Sequence, residues 1–355
     1  MAGQAMLDAS TDAVPRSGAE LTVRPFHPDD ETRVIDLLRI AHGTWPIVEG
    51  SAFPIDPVAF FRWKHRSSPF GKSLIVAAER DGELAGLRAF MPWLLQAGGR
   101  TIWAVRPVDA VTRPGLQRAG IFGRIREGAA SLLPDDVDLH FGTANAKSLG
   151  AATKTGEGVV VGALCTASLL RPAATVSAAL GRNGDGAPAI EAQPAGEVLD
   201  EEPAVPGLIE DAQRLEERLA TARDARYLRW RYGDAPLDYR AVCHKRRGEL
   251  RAIAIFRACS HHGLWEAVVE ELIVRPDDRR AAVQILRQIA HAGPFGLLSC
   301  RFPDGTAQRS AARRLGFVYR RTGMPLLVGS TRAGIEPSPD RLDSWALALG
   351  DVDVL

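Results

Sequence analysis

The feature that most constrains the fold is an internal repeat, in which short motifs recur in the same order at a slowly shrinking spacing. The ten residues around Trp63 resemble those around Trp230, 167 positions later, and Trp103 matches Trp265 at a spacing of 162. A spacing that drifts in one direction is typical of two copies that differ by small loop deletions. The repeat therefore predicts two consecutive units of about 130–150 residues each, within the usual size of a domain.

Hydrophobic periodicity gives the same order of elements in both copies. In the first copy, an alternating strand starts at Leu21, a helical stripe follows from Val34, and Asp81-Gly82 joins two apolar runs as a hairpin turn does. A long strand, a helix, a strand, a short helix around 147–155 and a final strand follow. This order predicts an α/β (α+β) fold with a mixed sheet in each copy. The predicted division is a disordered leader (1–20), a first domain (21–170), a linker (171–206), a second domain (207–330) and a C-terminal tail (331–355).

Composition and charge exclude several classes of protein. The 355-residue chain is 46% apolar and carries a formal net charge of +1, which gives no support for a basic nucleic-acid-binding surface. No apolar run is long enough to cross a bilayer, and the N-terminus lacks the pattern of a signal peptide. The four cysteines show no paired spacing that would hold a metal. We therefore expect a cytoplasmic protein without a metal, a membrane anchor or a nucleic-acid partner.

One segment of the first copy has the pattern of a phosphate site. A strand ending at Val108–Val111 runs through a loop that contains Gly115 and Gly120, and a helix starts directly after Gly120. The first turn of a helix presents unpaired N–H groups and a partial positive charge, and glycine lets a ligand approach the backbone closely. The segment matches neither the dinucleotide-binding nor the P-loop pattern, which disfavours those nucleotide sites.

This segment resembles the central motif of the GNAT superfamily of acyl-CoA N-acyltransferases, R/Q-x-x-G-x-G/A. Gln117 and Gly120 fit the motif, whereas Phe122 stands where the family has Gly or Ala. A second stretch, 145–156, resembles the family's N-x-x-A/S-x-x-x-Y-x-K-x-G motif through Asn145 and Ser148. The order of elements also resembles that of the family in both copies, which implies a tandem of two GNAT-like domains.

The resemblance implies where acetyl-CoA, or another acyl-CoA, would bind as co-substrate. The strand at Val108–Val111 would pair with the pantetheine amides, and the loop at Gln117–Phe122 would hold the diphosphate. Asn145 and Ser148 would lie near the pantetheine arm. The cofactor-binding residues implied in this way are Val108, Ala110, Val111, Gln117, Arg118, Ala119, Gly120, Ile121, Phe122, Asn145 and Ser148. The second copy has Asp277 and Asp278 in place of the glycine loop, so we expect that it does not bind the cofactor in the same way.

Two residues are candidates for the base that removes a proton from the amine. Asp109 lies on the strand before the loop, and His140 lies on the next strand. Each also has a purely structural interpretation, as a solvated carboxylate or as a core histidine. The family often places a tyrosine acid where this chain has Ala152, so that role is vacant or has moved.

The sequence leaves the function open between three interpretations. The first is transfer of an acyl group, most simply acetyl, from acyl-CoA to a primary amine of a small molecule such as an amino sugar. The second is an aminoacyl transferase of the type that modifies peptidoglycan precursors. The third is a non-catalytic tandem binding or scaffold protein. The repeated Arg-Trp motif at Arg62-Trp63 also allows two roles, a packed scaffold or an acceptor-pocket wall. The sequence does not reveal the acceptor or the oligomeric state.

Overall fold

The computed structural model describes residues 20–51, 53–143, 149–150, 156–172, 175, 189–261 and 263–352. These residues form thirteen strands and eight α-helices. In chain order the elements are β1 (Leu21–Pro25), α1 (Glu31–His42), α2 (Pro57–Arg66), β2 (Leu74–Arg80), β3 (Glu83–Ala97), β4 (Arg100–Thr112), α3 (Ile121–Ala130), β5 (Leu139–Thr143), β6 (Val159–Leu170), β7 (Gln193–Pro194), α4 (Ala195–Glu201), α5 (Val205–Arg214), β8 (Ala220–Thr221), α6 (Ala225–Leu228), β9 (Tyr239–Arg246), β10 (Glu249–His261), β11 (Leu264–Val274), α7 (Arg279–His291), β12 (Leu297–Cys300), α8 (Ala307–Arg314) and β13 (Val318–Ser330).

All thirteen strands belong to one mixed sheet. Twelve of them follow the order β1-β2-β3-β4-β5-β13-β6-β12-β11-β10-β9-β7, and β8 pairs with β3. Most neighbours are antiparallel, but β4 with β5 and β11 with β12 are parallel. The last strand of each half lies beside the other half: β13 pairs with β5, and β6 pairs with β12. The two halves therefore share one sheet, with β13 and β6 paired at its centre.

Local sequence explains the turns and helix ends. Asp81 and Gly82 both have positive φ angles, 54° and 78°, as the tight turn between β2 and β3 requires. Arg247 and Gly248 form the matching turn between β9 and β10, with φ angles of 55° and 82°. Helix α2 begins at Pro57, where Asp56 accepts a hydrogen bond from the Val58 amide at 2.9 Å.

The sheet has two covered faces in the first half, which we call the α2 face and the α3 face. The α2 face packs against α1 and α2, and its buried side chains form one continuous core that also includes residues of the second half. The α3 face has a separate, smaller core around Ile121 and Ile125. The shared core on the α2 face ties the halves together through buried apolar surface.

The repeated tryptophans meet in the middle of the shared core. The rings of Trp63 and Trp230 stack with centroids 5.6 Å apart. The indole N–H of Trp63 donates to the Trp230 carbonyl at 2.7 Å, and the indole N–H of Trp230 donates to the Trp63 carbonyl at 2.9 Å. Each buried indole N–H and the carbonyl that it reaches are therefore satisfied. This arrangement supports the scaffold role of the repeated motif, because both rings are buried.

Two predicted segments are more ordered than the sequence suggested. Part of the predicted linker forms α4, whose Ala195 and Val198 are buried. Within the predicted C-terminal tail, a run of apolar side chains from Trp345 to Val352 is buried, because it packs into the shared core. The predicted leader lies outside the described residues except for Glu20, and the domain boundaries stay a prediction.

Candidate functional site

Strand β4 has a β-bulge in its carboxyl half. Asp109 and Ala110 stand opposite the single residue Arg88 of β3, so one residue of β4 is in excess. Asp109 has a φ angle of 47°, in the left-handed region that residues other than glycine rarely adopt. A bulge redirects the backbone locally and often lies beside an active site.

The strands β4 and β5 separate before they reach this bulge. Within the part of the chain that the structure describes, they pair at Ala104–Leu139 and Val105–His140 alone. From Pro107 to Thr112 the edge of β4 that faces β5 has no ladder partner among the described residues. An edge of this kind can pair with an extended chain that carries amides. The predicted cofactor-binding residues Val108, Ala110 and Val111 lie on it.

The loop after β4 ends in an open helix N-terminus. Gln117, Arg118, Ala119 and Gly120 are exposed, and α3 begins at Ile121 with Gly120 at its N-cap. Gly120 has a φ angle of 76°, and a Cβ atom there would meet no atom within 4 Å. The amides of Ile121, Phe122 and Gly123 have no hydrogen-bond partner among the residues that the structure describes. Free amides and a helix N-terminus favour an anion at this position.

The corresponding helix of the second half is closed by its own carboxylate. Asp278 is the N-cap of α7, and its Oδ1 accepts from the Ala281 amide at 2.9 Å. Its other oxygen accepts from Arg251 at 2.8 Å. The equivalent positions thus carry Gly120, which leaves the amides open, and Asp278, which occupies them with negative charge. This difference agrees with the expectation that only the first half offers a phosphate site.

Asp109 is held by three donors on the α2 face. The Lys64 ammonium lies 2.8 Å from its Oδ2, His65 Nε2 lies 2.9 Å from the same oxygen, and the Trp45 indole donates to Oδ1 at 3.4 Å. Burial alone would raise the pKa of Asp109, but the Lys64 ammonium and the His65 imidazole lower it well below its usual range. A carboxylate that is so strongly stabilised is a weak base. These contacts favour an anchoring role for Asp109 over the predicted role as base.

His65 is the neutral member of this cluster. Its side chain is buried, Nε2 faces Asp109, and Nδ1 lies 3.0 Å from the Ser73 hydroxyl. Burial lowers the pKa of His65, although the hydrogen bond to Asp109 opposes this shift. The arrangement therefore fits a neutral ring in which Nε2–H donates to Asp109 and Nδ1 accepts from Ser73.

His140 lies on the opposite face of the sheet. It pairs in register with Val105, which packs on the α3 face, and its Nε2 contacts the Glu157 carbonyl. Burial lowers the pKa of His140, so the ring is neutral near pH 7. The structure therefore does not bring the two predicted base candidates together. On the α3 face, which it shares with His140, Arg88 forms a bidentate ion pair with Glu157 at 2.9 and 3.0 Å.

The sequence interpretation missed the cluster around Asp109. Lys64 and His65 are polar, yet they follow buried Phe60, Phe61 and Trp63 on the inner side of α2. Their spacing relative to these aromatic residues was the available signal, because it places them on the buried face. Asn145, Ser148 and Ala152 lie outside the described residues, as does all of the predicted helix at 147–155 except residues 149–150. Arg62 is exposed and pairs with Glu31.

Neither a metal site nor a membrane-spanning helix is found in the part of the chain that the structure describes. No group of three His, Cys, Asp or Glu side chains there is close enough to bind a metal ion. None of the helices there combines the length and the apolar character needed to span a bilayer.

Comparison with solved structures identifies the fold. No protein-family profile and no curated protein matches the sequence. Similar structures include a protein of unknown function from Enterococcus faecalis V583, named a probable N-acyltransferase, at 12% identity and a TM-score of 0.63 over 88% of this chain and 73% of that one. GCN5-related N-acetyltransferases from Anabaena variabilis and Kribbella flavida are also similar, at 11% and 10% identity. Their TM-scores are 0.60 and 0.55, and the matches span 87% of this chain and 72% and 71% of theirs. The predicted mixed α/β fold of the GNAT type is thereby confirmed, and the likeness shows the fold alone.

Proposed function

We propose that this protein transfers an acyl group, most simply acetyl, from acyl-CoA to a primary amine of a small molecule. The observation that carries the proposal has two parts: the edge of β4 at Pro107–Thr112 has no ladder partner among the described residues, and the loop after β4 leads into an open helix N-terminus. A coenzyme A molecule has the complementary parts, an arm with two amides and a diphosphate. The fold similarity to N-acetyltransferases supports the same conclusion.

In this proposal the cofactor is bound mainly by backbone groups. The amides of Gly120, Ile121 and Phe122 hold the diphosphate, and the edge of β4 around Val108–Val111 pairs with the pantetheine amides. Gln117 and Arg118 flank the diphosphate on the exposed loop, and Asn145 and Ser148 are assigned to the arm by resemblance only. Backbone donors that are fixed before binding need no reorganisation, which favours both affinity and catalysis.

The reaction requires a neutral amine beside the thioester carbonyl. The amine nitrogen attacks the carbonyl carbon, the C–S bond breaks, and the amine loses one proton. Amides near the bulge of β4 polarise the carbonyl, and the coenzyme A thiolate is the leaving group. Asp109 anchors this bulge through Lys64 and His65, so we assign it a positioning role. The role of His140 as base stays a prediction; from the α3 face it would reach the amine through the gap between β4 and β5.

A free-thiol release assay with acetyl-CoA and a panel of primary amines, amino sugars included, tests this function. Mass spectrometry of the product identifies the acceptor and the acyl group. We expect acetyl-CoA to bind with a dissociation constant in the micromolar range, which corresponds to about 8 kcal/mol. Binding without turnover on any amine would favour the scaffold interpretation. The absence of binding at millimolar acetyl-CoA would contradict the proposed site.

The aminoacyl-transferase interpretation makes a different prediction. Such an enzyme would accept an aminoacyl group from charged tRNA, which binds to basic surfaces. The net charge of +1 gives this alternative no support. If the protein transfers an aminoacyl group from aminoacyl-tRNA and does not use acetyl-CoA, the aminoacyl-transferase interpretation would be favoured.

A further inference from the structure

A buried arginine at the start of the opening between β4 and β5 has no role in the fold or in the site described above. Arg106 lies on β4 and is 1% exposed. Its guanidinium lies 4.7 Å from the Trp93 ring centre and 5.5 Å from the Phe141 ring centre. Among the described residues, its Nε and Nη1 have no hydrogen-bond partner. Burying a charged group with unsatisfied donors is costly, so its presence calls for a reason.

The second half shows that the fold does not need this arginine. At the spacing of 162 that relates Trp103 to Trp265, the counterpart of Arg106 is Val268. Val268 is buried in the same shared core. An aliphatic side chain thus fills the equivalent position of the same topology, without an unpaired charge. The guanidinium is therefore specific to the half that carries the open loop.

Arg106 lies on the α2 face, at the point where β4 and β5 separate. It directly follows Val105, the last residue of β4 that pairs with β5, and it precedes Asp109 by three residues, about 10 Å along a strand. Its contacts with Trp93 and Phe141 place it on the α2 face, whereas the open N-terminus of α3 lies on the other face. A thioester that enters between the strands from the α3 side leaves the α2 side for the amine.

The polar groups nearby do not neutralise Arg106 by contact. Asp351 is the carboxylate that acts on it electrostatically, but its oxygens accept hydrogen bonds from Thr221, Arg223 and the Ala348 amide. The Tyr227 hydroxyl is also buried and has no partner among the described residues. Its ring lies 5.8 Å from the Trp93 ring. The Arg106 guanidinium and the side chain that carries the Tyr227 hydroxyl therefore both lie beside the Trp93 indole, and both groups lack a partner among the described residues.

We propose that Arg106 binds an anionic oxygen group, a carboxylate or a phosphate, that the acceptor carries in addition to its amine. This inference rests on the proposed acyl transfer, because the acceptor is the amine substrate of that reaction. It narrows the substrate class to small amino acids or amino phosphates, including acidic amino sugars. The anion would supply the acceptor oxygens that the Arg106 donors lack, and the aromatic walls would exclude water from the pair.

The test compares wild-type protein with R106V, which copies the second half, and R106K, which keeps the charge. Thiol release from acetyl-CoA is measured with two matched pairs of amines, γ-aminobutyrate against butylamine and aminoethyl phosphate against ethylamine. We expect wild-type kcat/KM to favour the anionic member of at least one pair by about 10- to 100-fold. R106V should lose this preference and melt at the same or a higher temperature, and R106K should keep part of the preference. The pair that shows the preference distinguishes carboxylate from phosphate.

Direct binding separates failure of this inference from failure of the proposed function. Calorimetric titration of γ-aminobutyrate and aminoethyl phosphate into wild type and R106V needs no acyl-CoA, and a separate acetyl-CoA titration tests the cofactor site. Binding of an anionic amine that R106V loses supports the inference even if acetyl-CoA does not bind. Equal preference and equal binding in wild type and R106V, or no binding and no preference in either, would overturn it.

Discussion

The N-cap of α3 offers a sharp test of the cofactor site, because the second half already contains the substitution of interest. Gly120→Asp would place at the start of α3 the residue that Asp278 provides at the start of α7. There, the carboxylate lies 2.9 Å from a helix amide, in the position that a bound diphosphate would take. We therefore expect G120D to lower the affinity for acetyl-CoA.

The magnitude follows from the charge and its surroundings. A carboxylate about 4 Å from a phosphate costs between about 1 kcal/mol in water and about 4 kcal/mol near a protein surface. Because the loop is exposed, we take about 2 kcal/mol, which corresponds to a roughly 30-fold increase in Kd. A left-handed φ at an Asp costs about 1 kcal/mol of stability, and a negative charge at the N-terminus of the helix returns about the same amount. The variant should therefore melt close to wild type.

The matched control is Gly120→Asn, which has nearly the same shape and backbone preference but no charge. Calorimetric titration of acetyl-CoA should give a Kd within a few-fold of wild type for G120N and about 30-fold weaker for G120D. The deficit of G120D should shrink as salt is added, because the site is open to solvent. Equal affinity of folded G120D and wild type would refute the assignment of the diphosphate to this loop.

Three further predictions concern the supports of the site. Asp109→Asn leaves the buried Lys64 ammonium unpaired and should lower the free energy of unfolding by about 3 kcal/mol at pH 7. Folding lowers the pKa of Asp109, so the stabilisation by its carboxylate is complete above about pH 4 and fades as the pH falls further. Urea unfolding at pH 3 should therefore show a smaller difference in stability between wild type and variant. A difference that stays constant with pH would contradict the assignment. Trp63→Phe and Trp230→Phe should each destabilise the protein by about 1–3 kcal/mol, and a double-mutant cycle should reveal coupling of about 1 kcal/mol, whereas simple additivity would argue against the paired contact. Asp278→Ala should cost about 1 kcal/mol of stability in thermal melts and leave the Kd for acetyl-CoA unchanged; a changed Kd would implicate the second half in cofactor binding.

Local elements were predictable from the sequence because their signals are local. The hairpin turn at Asp81-Gly82, the amphipathic helix that starts at Glu31 and the glycine before α3 each depend on neighbouring residues. The repeat added the order of elements, and with it the mixed α/β fold. The pairing of β13 with β5 and of β6 with β12 was not predictable, because strand order in a sheet depends on contacts between residues far apart in the chain.

The site was predictable only in part, for a similar reason. The glycine loop has a sequence pattern, whereas the bulge at Asp109 results from the pairing of β4 with β3. A lysine next to a histidine is usually solvent-exposed, so the buried contacts of Lys64 and His65 with Asp109 became visible only in three dimensions. The C-terminal run from Trp345 was interpreted as a tail because a short apolar segment without periodicity does not reveal what it packs against.

The most direct test of the central claim is a crystal structure of the protein in complex with coenzyme A. We expect the diphosphate within hydrogen-bond distance of the amides of Gly120, Ile121 and Phe122. The pantetheine arm should lie along the edge of β4 that faces β5, with its sulfur close to the bulge. Coenzyme A bound anywhere else, or a gap between β4 and β5 filled by side chains of the protein, would contradict the account.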